Sequence, residues 1–223
     1  MNIETLLPLV ETASKNNNFS VKEKSSELIC EFLVLLNKWN MVHNLTSHKK
    51  KETLVKEHVV DAWTALVPLR QELKSYKSKE TVIGDVGSGN GAPAIIWAIC
   101  DLRLNVVLIE KTTKKVAFLN HVIGVLKLGD RISTIGKDVK DIKSRQFDVI
   151  TSRAFSDCEK FLSITKSVAK KNTIWMIMST ITQRQKINED TLQSLNIKMS
   201  SLTPVFIDRK KTNKQILFFK NLN

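Results

Sequence analysis

Asp85-Val86-Gly87-Ser88-Gly89-Asn90-Gly91-Ala92-Pro93 closes the β-prone run Thr81–Val86 and opens the apolar run Pro93–Cys100. Three glycines at alternate positions between these runs read as a tight strand-to-helix turn, because glycine lets the backbone turn sharply and approach a ligand with no Cβ in the way. Beyond the turn, short β-prone runs follow at Leu104–Glu110, Arg131–Ile135, Phe147–Ser152, Thr173–Ser179, Ile197–Ile207 and Gln215–Lys220, with helical patterns at Lys114–Lys127 and Cys158–Lys170 between them. This alternation predicts an α/β fold: a mostly parallel seven-stranded sheet covered on both faces. The last two runs are close enough in sequence to form an antiparallel hairpin at the sheet's edge. There is no internal repeat and no low-complexity tract.

Toward the N-terminus the pattern is helical. Leu28, Ile29, Phe32, Leu33, Leu35, Leu36 and Trp39 recur at helical spacing, and after the polar stretch Asn44 to Lys51 a second pattern follows at Leu54, Val55, His58, Val59 and Ala62. The run Glu72 to Lys79 is polar and weakly periodic, so residues 1–75 are expected to form a helical segment packed on a catalytic domain of residues 76–223. A chain of 223 residues holds one well-cored domain plus an accessory layer, which implies one active site. A hydrophobic fraction of 42% and four Trp argue for a packed globule with disorder confined to the termini.

No apolar run reaches the roughly 18 residues that span a bilayer, and Met1 to Val10 lacks an unbroken signal-peptide core, so a cytoplasmic location without membrane association is expected. Cys30, Cys100 and Cys158, odd in number and widely spaced, fit reduced structural thiols. His43, His48, His58 and His121 have no metal-ligand spacing, and no metal is expected. The net charge is +13, but residues 1–75 hold ten Lys+Arg against nine Asp+Glu, so about +12 belongs to residues 76–223. A solvated basic face accounts for this; so does a polyanionic substrate, because a basic field speeds encounter with phosphodiester chains. Nothing suggests an obligate interface, and a monomer is expected.

The glycine spacing narrows the ligand. A dinucleotide site uses G-x-G-x-x-G to admit a pyrophosphate, whereas here the third glycine comes one residue early. S-adenosylmethionine carries an ammonium and a sulfonium and no phosphate, so Asp85 entering the turn of Gly87, Gly89 and Gly91 suits it better. Glu110, nineteen residues after Gly91, stands where an acid at the tip of the next strand holds ribose hydroxyls. Asp138, Val139 and Lys140 follow the third strand, where backbone groups frame an adenine. The fourth strand ends in Thr151-Ser152-Arg153-Ala154-Phe155. It has neither the Asp/Asn-Pro-Pro-aromatic turn of amino-group methylation nor the cysteine nucleophile of cytosine C5 methylation. Guanine N7 has an exposed lone pair and needs no base, so positioning carries the rate. Arg153 is the positioning candidate, for cofactor or substrate; Phe155 either stacks on a base or packs in the core.

At these residues the chain resembles the bacterial small-subunit ribosomal RNA guanine-N7 methyltransferases, also called glucose-inhibited division protein B. The likeness covers roughly residues 25–180. It rests on Lys38-Trp39-Asn40 with Asn44-Leu45-Thr46, His58 with Asp61, Asp85 to Pro93, Lys115 with Phe118-Leu119, and Ser152-Arg153-Ala154-Phe155. The Trp-Asn/Asn-Leu-Thr element is the specific part. The resemblance implies a Rossmann-like class I methyltransferase fold with an N-terminal helical extension, and N7 methylation of one guanine in the decoding-region loop of 16S rRNA. It further implies S-adenosylmethionine contacts at Gly87, Ala92, Val139, Lys140 and Arg153, and 16S rRNA or the small ribosomal subunit as partner. This chain departs from the family pattern at Ala94, Ile96 and Lys140, where glycine, proline and an acid are usual, and at Met178-Ser179, where a Lys-Gly pair is usual. Three rival readings are a methyltransferase for a small molecule or protein, a non-catalytic ribosome-binding factor that kept the fold, and a nicotinamide-dependent enzyme, which the glycine spacing disfavours.

Overall fold

The computed structural model describes residues 1–47, 50–75, 80–143, 145–153, 155 and 157–222. His48, Ala154 and residues 76–79 of the expected domain boundary lie outside the described residues. Four helical segments open the chain. Helix α1 (Ile3–Asn16) starts at Asn2, whose side chain caps the Thr5 amide at 3.1 Å, and it buries Leu6 and Val10. The sequence assigns residues 1–75 to a helical segment without delimiting this helix; the Asn2–Thr5 capping pair and the i, i+4 apolar pair Leu6 and Val10 are its local signal. Helix α2 (Glu23–His43) buries Ile29, Phe32, Leu33 and Leu36 and ends at Asn44 in the left-handed conformation. Helix α3 (Lys51–Leu54) runs through a π-helical turn (Val55–Val60) into α4 (Asp61–Glu72).

The rest alternates strand and helix: β1 (Thr81–Val86), α5 (Ala94–Cys100), β2 (Leu104–Ile109), α6 (Thr113–Val125), β3 (Ile132–Ile135), β4 (Phe147–Arg153), α7 (Cys158–Thr165) and β5 (Ala169–Thr180). Two short helices, α8 (Ile181–Arg184) and α9 (Glu189–Ser194), precede β6 (Ile197–Ile207) and β7 (Lys210–Asn221). The sheet order is β3-β2-β1-β4-β5-β7-β6, with β1 to β5 parallel and β7 antiparallel between β5 and β6. The seven expected strands are therefore present, and the late hairpin closes the edge. The helix expected over Cys158–Lys170 stops earlier, because Ala169 already pairs with Phe147 of β4. Strand order reverses between β1 and β4, and such a switch point opens a crevice beyond the carboxyl ends of the strands.

Alternate strand residues feed two cores, as the period of two requires. Ile174, Met176, Ile216 and Phe218 pack with α2, α4, α5 and α6, whereas Trp175, Ile177, Leu217 and Phe219 pack with α7 on the other face. The N-terminal helices share the first core. Trp97 Nε1 of α5 donates to the Ala62 carbonyl of α4 at 2.8 Å, Trp63 stacks on Phe19 at 5.0 Å between ring centroids, and Arg70 pairs with Asp101 at 2.9 Å. No helix among the described residues is long and apolar enough to cross a membrane.

Candidate functional site

The glycine turn is pinned to the tip of the neighbouring strand: the amides of Gly87 and Ser88 donate to the Ile109 carbonyl at 2.8 and 3.2 Å. Gly87, Gly89 and Gly91 have φ of +73°, +59° and +83°, a region that costs an L side chain roughly 1–2 kcal/mol. Their surroundings differ. A Cβ on Gly91 would lie 2.4 Å from Ile95 Cδ1 and 3.0 Å from Leu119 Cδ2, so this glycine serves packing against α5 and α6. A Cβ on Gly87 would meet nothing within 4 Å; this residue faces a cavity of about 320 Å³ lined by Glu110, Asp138, Val139, Lys140 and Phe155, among others.

Glu110 stands just past the end of β2, one residue beyond the strand as observed, and is buried. Its two oxygens accept the amides of Gly89 and Thr112 at 3.0 and 2.9 Å. Burial pushes this carboxyl up, but those amides and the Lys115 ammonium at 4.0 Å outweigh it and hold the group below the usual glutamate range. The carboxylate thus stays ionised, with acceptor capacity left toward the cavity. Asp85 behaves in the opposite way. It is fully buried at the end of β1, its Oδ2 has no hydrogen-bond partner, and burial pushes its carboxyl up to about 7 against the Ser88 side chain and the Arg153 charge. A buried, unsatisfied carboxyl oxygen under a glycine turn is a site for a cation. An open glycine face, an ionised acid for hydroxyls and an unsatisfied acid for a cation together fit S-adenosylmethionine. Ala92 is buried within the turn, its amide donating to Asn90 Oδ1 at 3.2 Å.

Of the expected residues, Gly87, Glu110, Val139 and Lys140 line this cavity, while Asp85, Gly89, Gly91 and Ala92 belong to the adjoining strand end and turn without lining it. Arg153 does not line it. Its guanidinium donates to the Glu57 carbonyl at 3.2 Å and to Asn90 Oδ1 at 3.4 Å, and stands 3.6 Å from Asp61. Arg153 and Asn90 instead wall a second cavity of about 480 Å³, whose other side holds Glu57, Asp61, Met178 and Lys214. Phe155 packs on Phe161, centroids 5.2 Å apart, and turns an edge to the first cavity.

The second cavity was only partly legible. In the sequence Asp61 carries a signal only through the family pattern, and Glu57 and Lys214 carry none. Asp61 is buried and joins Lys214 at 2.9 Å and Arg153 at 3.6 Å, while Lys214 also reaches Glu57 at 3.2 Å. Burial alone would depress the Lys214 ammonium, yet Asp61 and Glu57 raise it. Two cations thus depend on one buried carboxylate. Asp61→Asn is expected to lower stability by about 2 kcal/mol, less than a wholly buried pair because both cations are partly exposed. Urea midpoints of the two proteins measure this, and an unchanged midpoint would show that solvent already screens the cluster. A larger cavity, about 960 Å³, lies beside the starts of β2 and β3, at the opposite end of the sheet from the glycine turn.

The chain matches the family model described as GidB, rRNA small subunit methyltransferase G, over residues 25–217. It is 34% identical to the "Ribosomal RNA small subunit methyltransferase G" of Polynucleobacter asymbioticus over 169 residues, covering 74% of each chain. It is 30% identical to the protein of the same name from Neisseria meningitidis serogroup B, covering 75% of this chain and 76% of that one. In fold it is similar to the crystal structure of a ribosomal protein L11 methylase from Lactobacillus delbrueckii subsp. bulgaricus, with a TM-score of 0.55 at 14% identity over 75% of this chain and 79% of that one. Seven strands in this order, a glycine turn at the switch point, and a match over most of the chain agree: the chain belongs to the rRNA small subunit methyltransferase G family, whose methyl donor is S-adenosylmethionine.

Proposed function

We propose that this chain transfers a methyl group from S-adenosylmethionine to N7 of one guanine in the decoding-region loop of 16S rRNA, acting as a monomer in the cytoplasm. The observation that carries the reading is that two cavities meet the same glycine turn, one lined by Gly87 with Glu110 and the other, polar, by Asn90 with Arg153. Bound S-adenosylmethionine supplies an electrophilic methyl on a sulfonium. The Gly87, Gly89 and Gly91 backbone admits the cofactor closely, Asp85 offers its unsatisfied oxygen to a cation, and Glu110 accepts from the ribose hydroxyls. Val139 and the backbone of Lys140 frame the adenine, and Ala92 keeps the turn compact. Arg153, tied to both the turn and the N-terminal layer, fixes the distance between the cavities and so serves as a positioning residue. The N7 lone pair forms the new N–C bond as the S–C bond breaks, with no proton to remove, so the absence of an assigned base is consistent with the reaction. The basic residues of 76–223 favour encounter with RNA, and residues 1–75 form the accessory layer that completes the acceptor side.

Transfer of a labelled methyl group to 30S subunits lacking the modification tests the reading. Label at a single guanine N7 is the expected result. Cofactor binding without RNA methylation would point to another acceptor or to a non-catalytic ribosome factor, and absence of cofactor binding would overturn the site.

A further inference from the structure

The cluster of Glu57, Asp61 and Lys214 has a chemical asymmetry that positioning alone does not use. Asp61 is sequestered, with 4% of its side chain exposed, while Glu57 and Lys214 keep 30% and 35% and reach the cavity. Lys214 spends two of its three donors on Asp61 and Glu57, and Glu57 uses one oxygen, Oε2, on Lys214. The cavity is thus offered an anionic acceptor and a cationic donor side by side, held in register by a buried third charge. Lys214 arrives from β7, opposite Thr180 of β5. This is two residues beyond Met178 of β5, so β7 supplies a cation at the end of the sheet where the second cavity lies.

The pyrimidine-ring edge of guanine presents an acceptor, O6, beside two donors, N1–H and the 2-amino group. Adenine presents the reverse order, a donor at position 6 beside an acceptor at N1. We propose that Glu57 and Lys214 read this edge of the acceptor base, Glu57 accepting from N1–H and the 2-amino group and Lys214 donating to O6, so that the pair determines specificity for guanine. N7 lies on the edge next to O6 and takes no part in this pairing, so its lone pair stays free to face the wall of Asn90 and Arg153. A site built to bond a polar edge rejects a base lacking it strongly, because its own buried groups are then left unpaired. The assignment rests on the guanine reading above.

The test uses the full chain and 30S subunits reconstituted with either guanine or inosine at the mapped acceptor position; inosine lacks only the 2-amino group. Wild-type kcat/KM is expected to fall about tenfold or more with inosine. Glu57→Gln should lower kcat/KM about tenfold on guanine and less on inosine, because one of the two donors that Glu57 accepts from, the 2-amino group, is already absent there. Lys214→Met should lower both by the same factor, since both bases keep O6. S-adenosylmethionine affinity should be unchanged in both variants. Equal losses for Glu57→Gln on the two bases would assign it a purely structural role and overturn the proposal, as would a Lys214→Met loss confined to guanine. If the wild type transfers no methyl to the guanine subunits, the guanine reading itself fails and the proposal with it.

Discussion

Gly87→Asp is expected to abolish S-adenosylmethionine binding in calorimetry while leaving the far-ultraviolet circular dichroism and the unfolding midpoint close to wild type. The expectation follows from what surrounds this glycine. A Cβ there meets nothing within 4 Å, so the fold has no steric objection beyond the strain of φ +73°. That strain is on the order of 1 kcal/mol. The new carboxylate instead projects into the cavity over the turn, where it takes the cofactor's volume and adds a negative charge near Glu110 and Asp85. Gly91→Ala is the contrasting case. Its Cβ collides with Ile95 and Leu119 and its φ is +83°, so it should cost about 1–3 kcal/mol of stability with a smaller effect on affinity measured at low temperature. Unchanged cofactor affinity in Gly87→Asp would sink the site assignment.

On the proposed site, the affinity for S-adenosylmethionine is expected to rise with pH through about 7 because of Asp85. In the free protein burial holds this carboxyl at about 7, against the Ser88 side chain and Arg153 and with the help of the Glu110 charge, so below that pH it is neutral. A cationic ligand prefers the ionised form and must displace the proton, so the loss of affinity approaches about tenfold per pH unit well below 7 and amounts to about 50-fold from pH 7 to pH 5. S-adenosylhomocysteine, which lacks the sulfonium, should show a weaker dependence, and Asp85→Asn should flatten the curve. The same group acts on stability with the opposite trend. The folded chain binds this proton more tightly than the unfolded chain, so between the ordinary value of 3.8 and about 7 stability falls as pH rises. Urea midpoints across that window should decline in the wild type relative to Asp85→Asn. Equal pH profiles for the two proteins would show that Asp85 faces no cation.

The division between what sequence and structure each supplied follows the range of the interactions involved. The seven strands, the glycine turn and the acid after the second strand were legible because each is a local pattern: alternation of runs, glycines that a turn needs, and an acid at a fixed offset from them. The helix Ile3–Asn16 is equally local, with its Asn2–Thr5 cap inside the helical segment expected over residues 1–75, although that expectation gives it no limits of its own. Helix and strand limits moved where pairing competed with propensity, as at Ala169, which joins β4 rather than extending α7. The three glycines look alike in sequence, yet packing alone separates Gly91, which a side chain would jam against two helices, from Gly87, which opens on a cavity. Arg153 was singled out by position, but its partners come from the N-terminal layer and the turn, and these place it on the wall of the second cavity. Lys214 had no local signal at all. It reaches Glu57 and Asp61, more than 150 residues earlier, because β7 enters antiparallel beside β5 and the π-helical turn brings the start of α4 to the same sheet end. Sequence by itself determined the sheet and the glycine turn, which are built from contiguous segments; only the tertiary structure decided the second cavity, where charges from three distant segments are brought together by burial around one carboxylate.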